Sequence, residues 1–126
     1  MARATFTSPT GARRTAAILL FSVAGAGVIL VGLSPENTSN NLHVLGASLN
    51  FLCGNLALVL FGLALAGRRW LARFSVFAGV LGLVATGLFG WDHDLGLGTG
   101  TMERLAAYPM PVWQIVAGLG IFRRAQ

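Results

Sequence analysis

The sequence predicts an all-α protein, a polytopic membrane bundle of four transmembrane helices with both termini in the cytoplasm. Of its 126 residues, 55% are hydrophobic and only 10% are charged, whereas a soluble domain carries about 25% charged residues. This composition excludes a soluble enzyme. It also excludes a free nucleic-acid-binding domain, which the net charge of +5 would suggest in a soluble protein. A chain of this length forms one domain at most.

The charged residues divide the chain into four uncharged stretches, each long enough to cross a membrane. A helix crosses the hydrocarbon core in about 20 residues. The longest stretch, 37–67, begins with polar residues that form an outer loop with Ser34 and Pro35, and this loop separates the first two spans. The predicted spans are about 15–33, 42–66, 74–91 and 105–122, which form one domain over 15–126, and residues 1–14 are expected to be disordered.

The arginines predict the orientation of these spans. All but one precede the first span, lie between the second and third, or follow the fourth, and only Arg104 is on the other side, with all four acids. Positively charged loops stay in the cytoplasm, so both termini are expected there, in the cell membrane. The first span also resembles a cleavable signal peptide, but its apolar run to Leu33 is long for one.

The third span carries a stripe of small residues, Ala78, Gly82, Thr86 and Gly90, at a spacing of four. Such a stripe lets a neighbouring helix approach closely. It predicts tight packing, either within the chain or in a homo-oligomer.

Two polar residues are expected at middle depth in the membrane. Asn55 in the second span and Gln114 in the fourth fall there when counted at about 1.5 Å per residue from the arginines. We expect a hydrogen bond between them, of about 0.6–2 kcal/mol. We favour a role of these two residues in holding the helices together over contact with a substrate.

A polar cluster is predicted at the outer face, where the ends of three spans meet. Arg104 is its only cation, and it is expected to pair with Glu36, Asp92 or Asp94, or to hold an anionic lipid headgroup. Pinning of the bundle by an ion pair is the favoured interpretation. The cluster comprises Glu36, His43, Asn50, Glu103, Arg104 and Tyr108.

Metal ligation is the weaker interpretation of the outer histidines and acids. His43, His93, Asp92 and Asp94 are residue types that bind zinc. The sequence has no H-E-x-x-H pattern, and a solvated helix end is the favoured interpretation of residues 92–94. No cofactor is therefore expected.

Two groups of motifs resemble the DUF998 family of bacterial and archaeal membrane proteins. The first is the segment 33–37 with His43-Val44-Leu45-Gly46-Ala47 and Gly54-Asn55, and the second is the segment 100–105 with Tyr108-Pro109 and Trp113. The resemblance covers about residues 33–122 and implies a short or truncated member. It implies no particular reaction.

Together these observations predict a small, non-catalytic integral membrane protein of uncharacterised function. Its outer polar cluster is expected to pin the bundle and to bind a lipid headgroup or a partner. A membrane-embedded, metal-dependent lipid hydrolase and a transport component are the alternatives. The expected partners are membrane lipid and a second copy of the chain, and not nucleic acid.

Overall fold

The computed structural model describes residues 9–65 and 67–123. This part of the chain is helical and contains no β-strand. Its helices are α1 (Pro9–Leu33), α2 (Asn40–Ala64), α3 (Arg69–Gly90), α4 (Thr99–Ala107) and α5 (Pro109–Phe122). The first three are long and apolar enough to cross a membrane. The chain is therefore an all-α, multi-pass membrane protein.

The predicted fourth span is not one straight helix, because α4 and α5 meet at a bend at Tyr108. Pro109 and Pro111 lack a backbone N–H, so the carbonyls four residues before them lose their helical donors. Tyr108 N still donates to Arg104 O (2.8 Å), and Val112 N donates to Tyr108 O (3.1 Å). The two helices therefore form a single bent segment beside α3.

The helix bounds differ from the predicted spans by a few residues. Helix α1 begins at Pro9, so residues 9–14, predicted to be disordered, are helical, while residues 1–8 lie outside the described residues. Helix α3 begins at Arg69 and α2 ends at Ala64, rather than at 74 and 66. Arginine is a good helix former, so α1 and α3 begin before their apolar stretches and include arginines that precede them.

Successive long helices run antiparallel. Gly27 faces Gly46, and Asn55 faces Gly79. Ser75 contacts Trp113. The start of α1 and the end of α5 therefore share one end of the bundle, which we call the arginine end. The opposite end, here the loop end, carries the 34–39 turn, the 91–98 loop and the start of α4.

Backbones of neighbouring helices approach closely at several glycines. A Cβ added to Gly27 would lie 2.6 Å from Gly46 O, and one added to Gly46 would lie 2.7 Å from Gly27 O. Helices α2 and α3 meet in the same way, since a Cβ on Gly62 would lie 2.7 Å from Ala72 O. Small residues permit this packing where lipid supplies no hydrophobic drive.

The predicted stripe on α3 packs partly within the chain. Ala78 and Gly82 are buried, Thr86 is half-buried and Gly90 is exposed. The buried members face α2 and the bent segment. A homo-oligomer through this stripe stays a prediction.

A hydrogen bond and an aromatic cluster join the helices in the arginine half of the bundle. Trp113 Nε1 donates to Ser75 Oγ (2.5 Å), and Ser75 Oγ donates to Leu71 O (2.7 Å). The Trp113 ring stacks on Phe61 (5.3 Å between centroids, 25°), and Phe21 meets the edge of Phe61 (5.8 Å, 79°). These contacts hold α5 against α1, α2 and α3.

Candidate functional site

A cavity of about 410 Å³ lies at the loop end between α2, α3 and α4. It brings together three residues of the predicted outer cluster from separate segments, Glu36, His43 and Glu103. Hydroxyl groups of Ser48, Thr86 and Thr99 and the rings of Phe51 and Phe89 also line it. We call this space the loop-end cavity.

The turn before α2 places Glu36 at the loop-end cavity. Pro35 O accepts hydrogen bonds from the backbone N–H groups of Thr38 and Ser39, both at 2.9 Å. This tight turn is typical of a proline followed by small polar residues. It holds Glu36, whose side chain is exposed, beside the first turn of α2.

His43 links the end of α1 to the start of α2. Its Nδ1 lies 3.1 Å from Ser34 O, and Ser34 is buried. Because a carbonyl oxygen only accepts hydrogen bonds, we assign the ring hydrogen to Nδ1. The other ring nitrogen, Nε2, is then an acceptor in the neutral imidazole. His43 thus pins two helix ends and still offers an acceptor.

The two carboxylates of the loop-end cavity have no cationic partner. Glu36 and Glu103 are both exposed, and neither forms an ion pair with any described residue. Charges of one sign that line a concave site concentrate counterions there. The loop-end cavity is therefore electrostatically suited to a cation.

Aromatic residues form the deeper wall of the loop-end cavity. The Phe51 and Phe89 rings meet edge to face, with centroids 6.2 Å apart and an angle of 73°. Phe51 belongs to a buried cluster with Ala85 and Ala106. The wall is therefore fixed by packing of α2, α3 and α4.

Arg104 lies on the other side of α4 and does not join the acids. Successive residues of a helix point about 100° apart, and only Glu103 lines the loop-end cavity. Arg104 Nη1 instead donates to Gly100 O at 3.3 Å, one turn nearer the loop end. The expected ion pair to Glu36, Asp92 or Asp94 is therefore wrong for this structure.

Arg104 and Tyr108 line a second cavity, of about 270 Å³, between α3 and the bent segment. We call it the α3–α4 cleft. Helix α4 thus divides the predicted outer cluster into an acidic side and a cationic side. Spacing along the chain could not reveal this division, because the direction of each side chain depends on the rotation of α4.

Asn50 belongs to neither cavity. It is half-buried on α2, and its Oδ1 is buried without a hydrogen-bond partner among the described residues. A Cβ on Gly27 would lie 2.9 Å from Asn50 N. Asn50 therefore lies in the contact between α1 and α2.

The residues after α3 form a helix-ending motif. His93 N donates to Leu88 O (2.9 Å), Asp92 N donates to Phe89 O (3.1 Å), and Asp92 has a φ of 55°. These two bonds with a left-handed residue define a Schellman motif. Asp94 Oδ1 then accepts from Gly96 N (2.9 Å). Asp92, His93 and Asp94 therefore take part in ending α3 and in shaping the loop that follows it.

Residues 9–65 and 67–123 contain no group of three or more His, Cys, Asp or Glu side chains that could hold a metal ion. Of the four metal-ligand candidates, His43 lies in the loop-end cavity. Asp92, His93 and Asp94 lie in the loop after α3. The structure does not bring the four candidates together.

Asn55 does not pair with Gln114, as the sequence had suggested. Asn55 is only 1% exposed, and its Nδ2 donates to Phe51 O (2.7 Å) and to Ala106 O (2.8 Å). Gln114 is exposed on α5. Asn55 thus bonds to a backbone carbonyl of α4, close to the bend. The prediction that Gln114 is its partner was wrong.

The Asn55 oxygen faces α3. Asn55 Oδ1 has no conventional hydrogen-bond partner in the described structure. It occupies the position that a Cβ on Gly82 would take, so a Cα hydrogen of Gly82 points at it. Such Cα–H···O contacts are worth about 0.5–1 kcal/mol each. One side chain therefore joins α2, α3 and α4.

Sequence reasoning missed several lining residues of the loop-end cavity. Val44, Ala47, Ser48 and Phe51 recur at the i, i+3, i+4, i+7 spacing of one helix face. That spacing could have extended the site from His43 along α2. Thr99 offered no such signal, because it was predicted to lie in a loop.

The comparisons with known proteins concern the whole chain. A family model described as a protein of unknown function (DUF998) matches residues 1–120. No curated protein and no solved structure matches the chain. The family match includes the loop-end cavity, the α3–α4 cleft and Asn55, and it covers nearly all of the 126 residues. The chain therefore belongs to the DUF998 family.

Proposed function

We propose that this protein is a small, non-catalytic membrane protein whose loop-end cavity binds the ammonium headgroup of a lipid, while polar residues around it pin the helix ends. The observation that carries the proposal is the meeting of Glu36 and Glu103 in one cavity, neither of them paired with a cation among the described residues. A lipid ammonium group supplies the positive charge that this arrangement lacks.

The walls of the loop-end cavity suit such a group. Carboxylates accept charge-assisted hydrogen bonds, and His43 Nε2 supplies a neutral acceptor. The Phe51 and Phe89 rings add cation–π attraction. The volume of about 410 Å³ lies within the usual range of ligand pockets, about 300–1,000 Å³.

A lipid fits better than a soluble cation because apolar residues form part of the wall. Val44 and Leu52 line the cavity, and both are 52% exposed. In a membrane their exposed surfaces face hydrocarbon. A headgroup could therefore enter while its chains remain in the bilayer.

The pinning part of the proposal rests on His43. Its bond to Ser34 O fixes the first turn of α2 to the residue that follows α1. The same side chain lines the loop-end cavity. Ligand binding and the geometry of the α1–α2 connection are therefore coupled at one residue.

We also propose that the loop end faces outward and the arginine end faces the cytoplasm of a cell. The described arginines outside α4 all lie at the arginine end, which is the arrangement that positive-inside insertion produces. The headgroup taken up by the loop-end cavity then belongs to the outer leaflet.

Cysteine labelling tests this orientation. In a Cys53→Ala background, Gly98→Cys should react with an impermeant maleimide on intact cells, because Gly98 lies in the exposed loop before α4. Gly67→Cys, in the exposed connection between α2 and α3, should react only after permeabilisation. The reverse pattern would refute the proposed orientation.

Lipid retention tests the headgroup site. In an Arg104→Gln background, which removes the cation beside the α3–α4 cleft, purified protein should retain phosphatidylethanolamine over phosphatidylglycerol of the same acyl chains at one lipid per chain, measured by native mass spectrometry. Glu36→Gln with Glu103→Gln should lower that preference at least tenfold, because hydrogen bonds to charged groups contribute about 1.5–3 kcal/mol each.

Asp92→Asn is the matched control for this experiment. It removes an acid from the same end of the bundle without touching the cavity, and asparagine also tolerates the left-handed backbone conformation. It should leave the preference unchanged. Equal retention of both lipids in the Arg104→Gln background, or a preference that survives the double substitution, would refute the headgroup site.

A further inference from the structure

The α3–α4 cleft is an apolar groove, and the aliphatic stem of one arginine forms part of its wall. Phe77, Leu81 and Val112 line it and are exposed on the outer surface of the bundle. Tyr108 and Pro109, at the bend between α4 and α5, also line it. Because the chain crosses a membrane, these exposed side chains face lipid.

Among the described residues, Arg104 is the only charged one that lines the α3–α4 cleft. It uses one nitrogen in a hydrogen bond of 3.3 Å to Gly100 O, and the guanidinium has five N–H donors. No described acid pairs with it, since Glu103 lines the opposite side of α4. Most of its hydrogen-bonding capacity is therefore unused by the protein.

The direction of the Arg104 side chain places its charge toward the headgroup region. Helical side chains lean toward the N-terminus of their helix, and α4 begins at the loop end. The bond to Gly100 O, one turn earlier, follows this direction. The apolar stem lies along the groove while the charge approaches the interface, as arginines near membrane boundaries do.

We infer that the α3–α4 cleft binds an anionic phospholipid, with one acyl chain along Phe77, Leu81 and Val112 and the phosphate at Arg104. The occupant follows from charge complementarity, because an unpaired cation beside an apolar, lipid-facing groove matches a phosphate attached to an acyl chain. A guanidinium binds phosphate with two parallel hydrogen bonds.

This inference is independent of the headgroup site in the loop-end cavity. The two sites lie on opposite sides of α4 and have opposite charge. Glu103 and Arg104 are neighbours in sequence, yet each belongs to only one of them. Substitutions at one site should leave lipid binding at the other unchanged.

The test compares phosphatidylglycerol with phosphatidylcholine of the same acyl chains, by native mass spectrometry of the full chain in detergent. The unaltered protein should keep one phosphatidylglycerol per chain through delipidation. Arg104→Gln should weaken that retention about tenfold, which corresponds to about 1.4 kcal/mol. Arg104→Lys should keep part of it, because an ammonium remains a point charge for phosphate.

Further variants locate the lipid. Leu81→Trp fills the groove and should lower retention of phosphatidylglycerol, although Arg104 is intact. Arg14→Gln removes an exposed charge at the arginine end and should leave retention unchanged, as should the Glu36→Gln/Glu103→Gln double substitution. Thermal midpoints of all variants in lipid-free detergent should agree within a few degrees.

Two outcomes would overturn the inference. In the first, Arg104→Gln retains phosphatidylglycerol as well as the unaltered protein does. In the second, Arg14→Gln loses it to the same extent, which would mean that binding reflects net charge alone. If the Glu36→Gln/Glu103→Gln double substitution abolishes selectivity for phosphatidylethanolamine and leaves retention of phosphatidylglycerol unchanged, the two sites bind lipid independently. That result supports the inference.

Discussion

Gly82→Leu is expected to lower the free energy of unfolding by about 3 kcal/mol, the upper part of the usual range for overpacking. The side-chain amide of Asn55 occupies the position that a Cβ on Gly82 would take. A leucine must therefore displace Asn55, whose Nδ2 bonds to Phe51 O and Ala106 O. Reversible denaturation in detergent, followed by helical circular dichroism, measures the loss.

Two substitutions on the same helix are controls for this prediction. A Cβ on Gly87 would meet nothing within 4 Å, so Gly87→Leu introduces the same side chain without the collision. Val80 is 47% exposed, and Val80→Leu should be equally mild. If Gly82→Leu and Gly87→Leu destabilise the bundle alike, the loss comes from removing glycine and not from contact with Asn55.

The sequence was sufficient to predict the helical membrane fold because lipid imposes a simple physical constraint. Backbone polar groups within hydrocarbon must bond inside their own helix, so long uncharged stretches become helices. Charge patterning predicted the loops between them. The bend at Tyr108 was missed because the stretch 105–122 satisfies the length and hydropathy criteria, while the effect of Pro109 and Pro111 depends on local bonding.

The site was predicted only in part. Depth along each helix follows from counting residues, and the structure brings Glu36, His43 and Glu103 to one cavity. The rotation of each helix is set by packing, and this decided that Arg104 faces away from the acids. The same limit explains Asn55: its depth was predictable, but its bond to the Ala106 carbonyl depends on close approach of α4 to α2.

Asn55→Ala is expected to lower the free energy of unfolding by about 2 kcal/mol, since an interhelical hydrogen bond in a membrane is worth about 0.6–1.7 kcal/mol and the truncation leaves a void as well. The same denaturation assay measures it. Asn50→Ala is the control within α2, because Asn50 Oδ1 has no hydrogen-bond partner in the described structure.

The interaction of Asn55 with Gly82 makes this loss depend on the residue opposite. Gly82→Ala places a methyl group where the Asn55 amide lies, but in the Asn55→Ala background that space is vacant. The double substitution should therefore be more stable than the sum of the single losses predicts, by about 1 kcal/mol.

Gly62→Ala provides the matched comparison for this double-mutant cycle. Its added Cβ would meet Val76 and the Ala72 carbonyl, which belong to the same α2–α3 interface but do not contact Asn55. Losses from Gly62→Ala and Asn55→Ala should simply add, because the two sites share no partner. If the losses of stability add in both cycles, the Asn55 amide is not the reason why position 82 requires a small residue. Coupling confined to Gly82 would show that one polar side chain sets the distance between α2 and α3, and thereby the position of α4, which separates the loop-end cavity from the α3–α4 cleft.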